Sequence, residues 1–504
     1  MVFINVQVLT KCFKAGQIYT MQGKFLSNLL LLLFLNLLVK PFWILGIDRT
    51  VQNTVGAFEY GQYFALLNFS FLFNIILDIG ITNFNNRNIA QNHHLLKKHF
   101  SGILLLKFLL AALYILITLI TALIFDYDRI QMKFLLMLIF NQFLISFILY
   151  LRSNVSGLLL FRTDSFLSVL DRLLMIGICG LLLWGNITDQ TFRIEWFVYA
   201  QTASYIITAV IALIIVIRKS GFTSLHWSWP FIIMILKKSF PFAILIMLMT
   251  FYNRIDSVMI ERILKGTLGA TQAGIYASAY RLLDAVNMIA YLFSVLLLPI
   301  FARMIKDMIS VQDLVKLAFS LLMILAVPVG FGSYFYADEI MSLLYKAHTE
   351  QSADVFRLLM FGFIAISSTY VFGTLLTANG NLKYLNIMAA TGMVINLSLN
   401  LYLVPRYYAV GAAYASLVTQ FVTSVAQLIL VQIIFKFRIN YLFQVRLLLY
   451  TVFIFLSGYA SREVSGDWRL NFMLLMLASV VYAMIFKLIS LKKFYRMLVL
   501  ERIK

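Results

Sequence analysis

The feature that most limits what this chain can fold into is the recurrence of apolar runs about twenty residues long, of which "FLSNLLLLLFLNLLVKPFWIL" is the first. A helix of that length rises roughly 30 Å, the thickness of a bilayer's hydrocarbon core, and in lipid a backbone must satisfy its own hydrogen bonds. Breaking the runs at charge and Gly/Pro clusters gives about fourteen helices. They begin near residues 25, 60, 101, 133, 167, 196, 239, 271, 314, 355, 384, 409, 445 and 470. With 62% hydrophobic and 12% charged residues, the chain sits far from the roughly 25% charge of a soluble domain. The expected class is an all-α polytopic membrane protein.

A formal net charge of +20 could suggest a nucleic-acid partner, but in a polytopic chain it is explained by basic residues gathered on one side of the membrane. With the N-terminus inside, roughly 26 Lys and Arg fall on the inner side and roughly 11 on the outer, so both termini are expected in the cytoplasm. No nucleic-acid partner is expected. The basic tail "KLISLKKFYRMLVLERIK" reads as a solvated or headgroup-facing segment. The first apolar run lacks a small-residue cleavage site and reads as a retained helix. Met21 stands just before it, and a true start there is an expectation that the intact mass of the native protein would test.

An internal repeat is visible. Residues 56–65 read "GAFEYGQYFA" and residues 269–278 read "GATQAGIYAS", so Gly-Ala-x-x-x-Gly-x-Tyr recurs at an offset of 213, each time opening a helix. The copies open the second and eighth helices, which predicts two parallel six-helix lobes around a central cavity, plus two C-terminal helices. The expected divisions are a cytoplasmic tail over 1–24, a first lobe over 25–218 and a cytoplasmic linker over 219–238. A second lobe then covers 239–436, two additional helices 437–489 and a basic cytoplasmic tail 490–504.

Ionisable residues inside spans are costly and mark cavities or partners, unless they lie near an end and snorkel. Lys40 lies late in the first helix beside Pro41, with Asn36 one turn earlier on the same face; the 213 offset carries Lys40 to position 253, next to Arg254. Each is a candidate to face a cavity; the rival for Lys40 is snorkelling to the outer interface, and for Arg254 and Asp256 an outer-interface ion pair, with Glu261 and Arg262 just beyond. In "TFYNRIDSVMIERIL", Arg254 and Asp256 are two residues apart, about 200° around a helix, so they cannot point the same way. In the eighth helix Arg281, Asp284 and Asn287 follow at intervals of three, a polar stripe near mid-span flanked by Tyr280 and Tyr291. That stripe is expected to face water, an interhelical lock being the alternative. Asp78 and Arg87 close the second helix on the inner side, where a cap, an inner gate and substrate contact all remain open. Lys107, Asp171 and Arg172 fall near inner ends and read as structural.

Of the five histidines, none lies mid-span, so an acyl-transfer enzyme with an in-membrane catalytic histidine has no candidate. No Walker-type phosphate loop occurs, and Cys12 and Cys179 make no disulfide framework or metal-ligand spacing. No enzyme, cofactor or metal is expected.

Four stretches carry a family resemblance: "GAFEYGQYFALLNFSFLFNIILDIGITNFNNRNIA", "NRIDSVMI", "AGIYASAYRLLDAVNMIAYLFSVLLLPIFARMI" and "NLYLVPRYYAVGAAYASLV". Through them the chain resembles the multidrug/oligosaccharidyl-lipid/polysaccharide flippase superfamily, in its bacterial polysaccharide-export branch of O-antigen flippases of the Wzx type. The resemblance implies a fourteen-helix fold and translocation of an undecaprenyl-pyrophosphate-linked oligosaccharide across the bacterial inner membrane by alternating access. It makes Lys40, Arg254 and Arg281 candidate contacts for the lipid-linked anion, and Asp256 and Asp284 partners or coupling sites. Expected partners are the lipid-linked oligosaccharide, membrane lipids and other polysaccharide-assembly proteins. The rivals are a cation-coupled multidrug antiporter of the same superfamily, which would want an acidic cavity, and a membrane glycan polymerase or ligase, which would want a sizeable outer loop.

Overall fold

A computed structural model describes residues 34–36, 38–82, 85, 86, 89, 95–185, 190–220, 229–438, 440–464 and 466–488. Arg87, Met21 and both tails lie outside the described residues. The described elements are all helical, and eleven are long and apolar enough to cross a membrane. The chain is an all-α polytopic membrane protein. Many outward side chains are apolar, among them Leu123, 68% exposed, and Leu448, 64% exposed, which only a lipid environment accommodates.

The helices after a π-helical turn at Trp43–Asp48 are α1 (Arg49–Leu72), α2 (Leu95–Ile124), α3 (Arg129–Gly157), α4 (Phe161–Trp184), α5 (Ile194–Ser220) and α6 (Trp229–Leu264). There follow α7 (Gly266–Lys306), α8 (Gln312–Phe335), α9 (Ala337–Leu344), α10 (Thr349–Ala378), α11 (Leu382–Phe435), α12 (Tyr441–Ser461) and α13 (Trp468–Ile485). The expected starts at 384 and 409 fall within one element, α11, which bends at Tyr408, where φ is 54°. Pro405, which cannot donate to the helix ladder, stands one turn before the bend, and the Gln272 side chain accepts the freed Ala409 N–H at 3.1 Å. The stretch "ADEIMSLLYKAHTEQSADVF" reads as an outer loop in sequence, yet it folds into α9 and the first turns of α10. Met341 is buried there, and Arg357 bridges Asp338 and Asp354.

The chain forms two compact units, each discontinuous in sequence. The first comprises Met1–Asp48, Asn74–Leu123 and Leu136–Phe240. In it the π-helical turn follows Pro41, and Trp43 stacks on Phe197 with ring centroids 5.6 Å apart. The chain leaves a 3-10 turn at Asn74–Leu77 and reverses through Ile79 and Gly80, both at positive φ. Lys107, buried in α2, reaches this break: its Nζ donates to the Leu77 carbonyl at 2.9 Å and to Asp78 Oδ1 at 2.6 Å. An ammonium thus closes the end of a broken helix.

The second unit comprises Arg49–Phe73, Ile124–Leu135 and Pro241–Lys504. Here α1 packs along α7, which also meets α10 and α11, while α8 packs against α10, α12 and α13. At its tightest point the α1–α7 crossing is backbone against backbone. A Cβ on Gly61 would stand 1.8 Å from the Ala270 carbonyl oxygen, and one on Gly274 would stand 1.9 Å from the Ala57 carbonyl oxygen. Ala57 and Gly61 correspond to Ala270 and Gly274 under the 213-residue offset, so the two copies of the repeat meet each other reciprocally. Gln52 adds a hydrogen bond to the Gly274 carbonyl at 2.8 Å, and Asn68 ties α1 to α6 through Ser257 Oγ at 2.9 Å. Between spans, burial and then the Glu261 carboxylate push the Tyr127 hydroxyl above the usual phenol range, with the Arg262 guanidinium 4.0 Å over its ring.

Candidate functional site

The second unit contains a cavity of about 590 Å³ walled by α6, α7, α10 and α11. That volume lies within the roughly 300–1,000 Å³ of sites that hold small ligands. Its charged wall is Arg254 of α6 facing Asp284 of α7. Arg254 Nη1 donates to Asp284 Oδ2 at 3.3 Å and Nη2 to Oδ1 at 3.4 Å, a fork-to-fork pair. The guanidinium is also held by rings, 5.2 Å from the centroid of Tyr280 and 5.5 Å from that of Phe71. Asn287, Tyr291, Tyr370 and Gln420 add neutral polar and aromatic groups.

Arg281 lies apart from this lining. Its Nε donates to the Tyr60 hydroxyl at 3.0 Å and its guanidinium lies 5.0 Å from the Phe64 ring, so the side chain runs toward α1. It still meets the Asp284 carboxylate, at 4.0 Å. Of the polar stripe read from sequence, Asp284 and Asn287 face the cavity, while Arg281 sits behind the carboxylate, where the bare Gly61 crossing lets α1 come close.

Asp256, on the far side of α6 from Arg254, is 1% exposed and enters a different environment. Its Oδ1 accepts from Asn396 at 3.0 Å and from Asn400 at 2.8 Å, and its Oδ2 accepts from the Tyr276 hydroxyl at 2.8 Å. These donors are all neutral. These partners satisfy the carboxylate's lone pairs without cancelling its charge.

The remaining candidates belong to the first unit. Asn36 donates to Ser168 Oγ at 3.0 Å, and Lys40 is half-buried with Arg172, Asp171 and Arg152 as its electrostatic neighbours. Arg172 lies between the rings of Trp43 and Tyr205, at 5.6 and 5.8 Å. Asp78 pairs with Lys107 and also accepts the Thr82 backbone N–H at 3.2 Å, which is a helix-end arrangement.

Sequence reasoning passed over several wall residues because they carry no charge. Gln420, Thr423 and Gln427 follow a helical spacing along one face of α11, and Asn396 with Asn400, which hold Asp256 outside the cavity wall, are one turn apart; both patterns were readable as polar faces inside a span. Phe71 carried no such signal.

The fold is shared with solved transporters. A lipid II flippase MurJ in an inward closed conformation superposes with a TM-score of 0.65 at 15% identity, over 95% of this chain and 100% of that one. An inward-facing multidrug resistance MATE family transporter of the MOP superfamily gives 0.56 at 13% identity, over 80% of this chain and 94% of that one. The eukaryotic MATE transporter AtDTX14 gives 0.53 at 14% identity, over 90% and 98%. No curated protein sequence matches this one. Residues 25–305, more than half of the chain, match the family described as polysaccharide biosynthesis protein. With that match and the fold of the MOP-superfamily transporters, the chain belongs to the polysaccharide biosynthesis protein family.

Proposed function

We propose that the protein is a flippase that carries an undecaprenyl-pyrophosphate-linked oligosaccharide, such as an O-antigen repeat unit, from the inner to the outer leaflet by alternating access. The observation that carries this reading is the cavity in the second unit, with a guanidinium fork on one wall and neutral hydroxyl, amide and phenol groups on the others. The fork suits a phosphate, whose oxygens match its geometry. The neutral groups suit a sugar, which offers hydroxyls for amide partners and apolar faces for tyrosine rings. A polar head group crossing bare hydrocarbon would lose water from each hydroxyl at about 4–8 kcal/mol apiece, and a lined cavity removes that cost.

In the first unit Lys40 and Asn36 are proposed substrate contacts; in the second, Arg281 supports the site at Arg254 through Asp284. Asp256 is the proposed coupling residue, alternating between a free and an occupied carboxylate as the transporter cycles. Asp78 and Arg87 are proposed gating residues. The protein would work in the bacterial inner membrane with both termini in the cytoplasm, beside other polysaccharide-assembly proteins and without catalysing a covalent step. The acid in the lining, Asp284, is paired with Arg254 rather than left facing the cavity alone as an exporter of cationic drugs would want, which favours the anionic cargo.

The test replaces the native chain with Arg254→Ala in cells. Expected are loss of surface polysaccharide and accumulation of the lipid-linked repeat unit. Wild-type export by a stably folded Arg254→Ala protein would reject the assignment of the cavity to this cargo.

A further inference from the structure

Resting on that reading, we propose that Asp284 is a built-in competitor for the anion site: its carboxylate holds the Arg254 fork until the substrate's phosphate displaces it, and it then remains with Arg281. Both Arg254 and Asp284 line the cavity, with side chains 27% and 22% exposed, so an arriving head group can reach both. The pair has fork-to-fork register but is loose. Its N···O distances of 3.3 and 3.4 Å exceed the roughly 2.7–2.9 Å of a committed charge-assisted bond.

Arg254 does not need Asp284 to keep its orientation. The rings of Phe71 and Tyr280 hold the guanidinium by its faces, leaving its N–H edge to whichever anion lies in front. Arg281 is likewise positioned by Phe64 and Tyr60, three residues before Asp284 on α7 and 4.0 Å from the same carboxylate. Two guanidinium groups therefore share one carboxylate. When Arg254 turns to the phosphate, Asp284 stays paired with Arg281, so no charge is stranded in the cavity wall.

The arrangement weakens binding while speeding release. A transporter gains nothing from holding cargo more tightly than its working concentration requires, because every excess increment of affinity must be undone on the outer side. Asp284 repels the bound phosphate and offers Arg254 a replacement partner as it leaves. Asp256 has no part in the exchange, since its hydrogen bonds come from Tyr276, Asn396 and Asn400.

The experiment measures binding of undecaprenyl pyrophosphate, with uncharged undecaprenol as control, to the full chain in lipid nanodiscs. Asp284→Asn is expected to bind the pyrophosphate lipid about tenfold more tightly than wild type, with undecaprenol unaffected, and to export more slowly in cells. The gain should vanish in the double variant Arg254→Gln/Asp284→Asn. Equal or weaker binding by a folded Asp284→Asn protein, or a gain that survives in the double variant, overturns the proposal. Asp284→Ser carries the same expectation should the asparagine variant fold poorly, and loss of folding in both would mark the pair as structural and overturn it as well. A different result, in which wild type and Arg254→Gln bind the pyrophosphate lipid equally, would instead reject the cargo assignment itself.

Discussion

Arg254 and Asp256 share one short stretch of α6 and serve different surroundings, one facing a cavity and one sealed among amides. Their separation of about 200° on the helix was legible in the sequence. Their partners were not, because nothing local tells a helix face which neighbour it will meet. Arg281 makes the same point: its depth in the span is evident from sequence, but its course toward Tyr60 depends on how near α1 can come. For Asp256, Asn is expected to abolish export while the melting temperature of the purified protein stays level or rises, since a buried carboxylate among neutral donors is removed. Wild-type export by that variant would dismiss Asp256 as the coupling residue. Lys107→Met should destabilise the fold by about 3–5 kcal/mol, less whatever water reaches the partly exposed Asp78, because it strands that carboxylate. Thermal unfolding should recover in part in the double variant Lys107→Met/Asp78→Asn.

At the scale of elements, the helix starts near 133, 196, 314 and 470 are recovered as α3, α5, α8 and α13 within four residues, while α2 and α10 begin six residues before the expected 101 and 355. Length and hydropathy suffice there because lipid demands them. The short α9 was hidden, since eight residues on a membrane surface need only one buried side such as Met341. The contact between α1 and α7 was half legible. The repeated Gly-Ala-x-x-x-Gly was visible, but that its copies would touch each other required coordinates. Gly274→Val must force the helices apart, since even a Cβ would stand 1.9 Å from the Ala57 carbonyl oxygen; overpacking of this kind costs about 1–3 kcal/mol. A lower melting temperature in detergent is expected. Gly177→Ala in α4 is the control: its Cβ would meet nothing within 4 Å, and stability should hold or rise slightly.

For the whole molecule, basic residues gathered on one side predict the orientation, and it can be read directly. Green fluorescent protein fused after Lys504 should fluoresce, and alkaline phosphatase fused there should be inactive; the reverse result would invert the topology. The seam between the repeat copies bears on the same scale. Its surfaces are backbone, and carbonyls such as those of Ala57 and Ala270 lie within helices whose own ladders supply their donors. Parting it would forfeit close-range dispersion and would also break the Gln52 bond to the Gly274 carbonyl and the Arg281 bond to the Tyr60 hydroxyl, leaving polar groups without these partners in hydrocarbon. A joint of that kind behaves as a latched hinge-plate: bare backbone brings the two helices flush, and two polar side chains bolt them there.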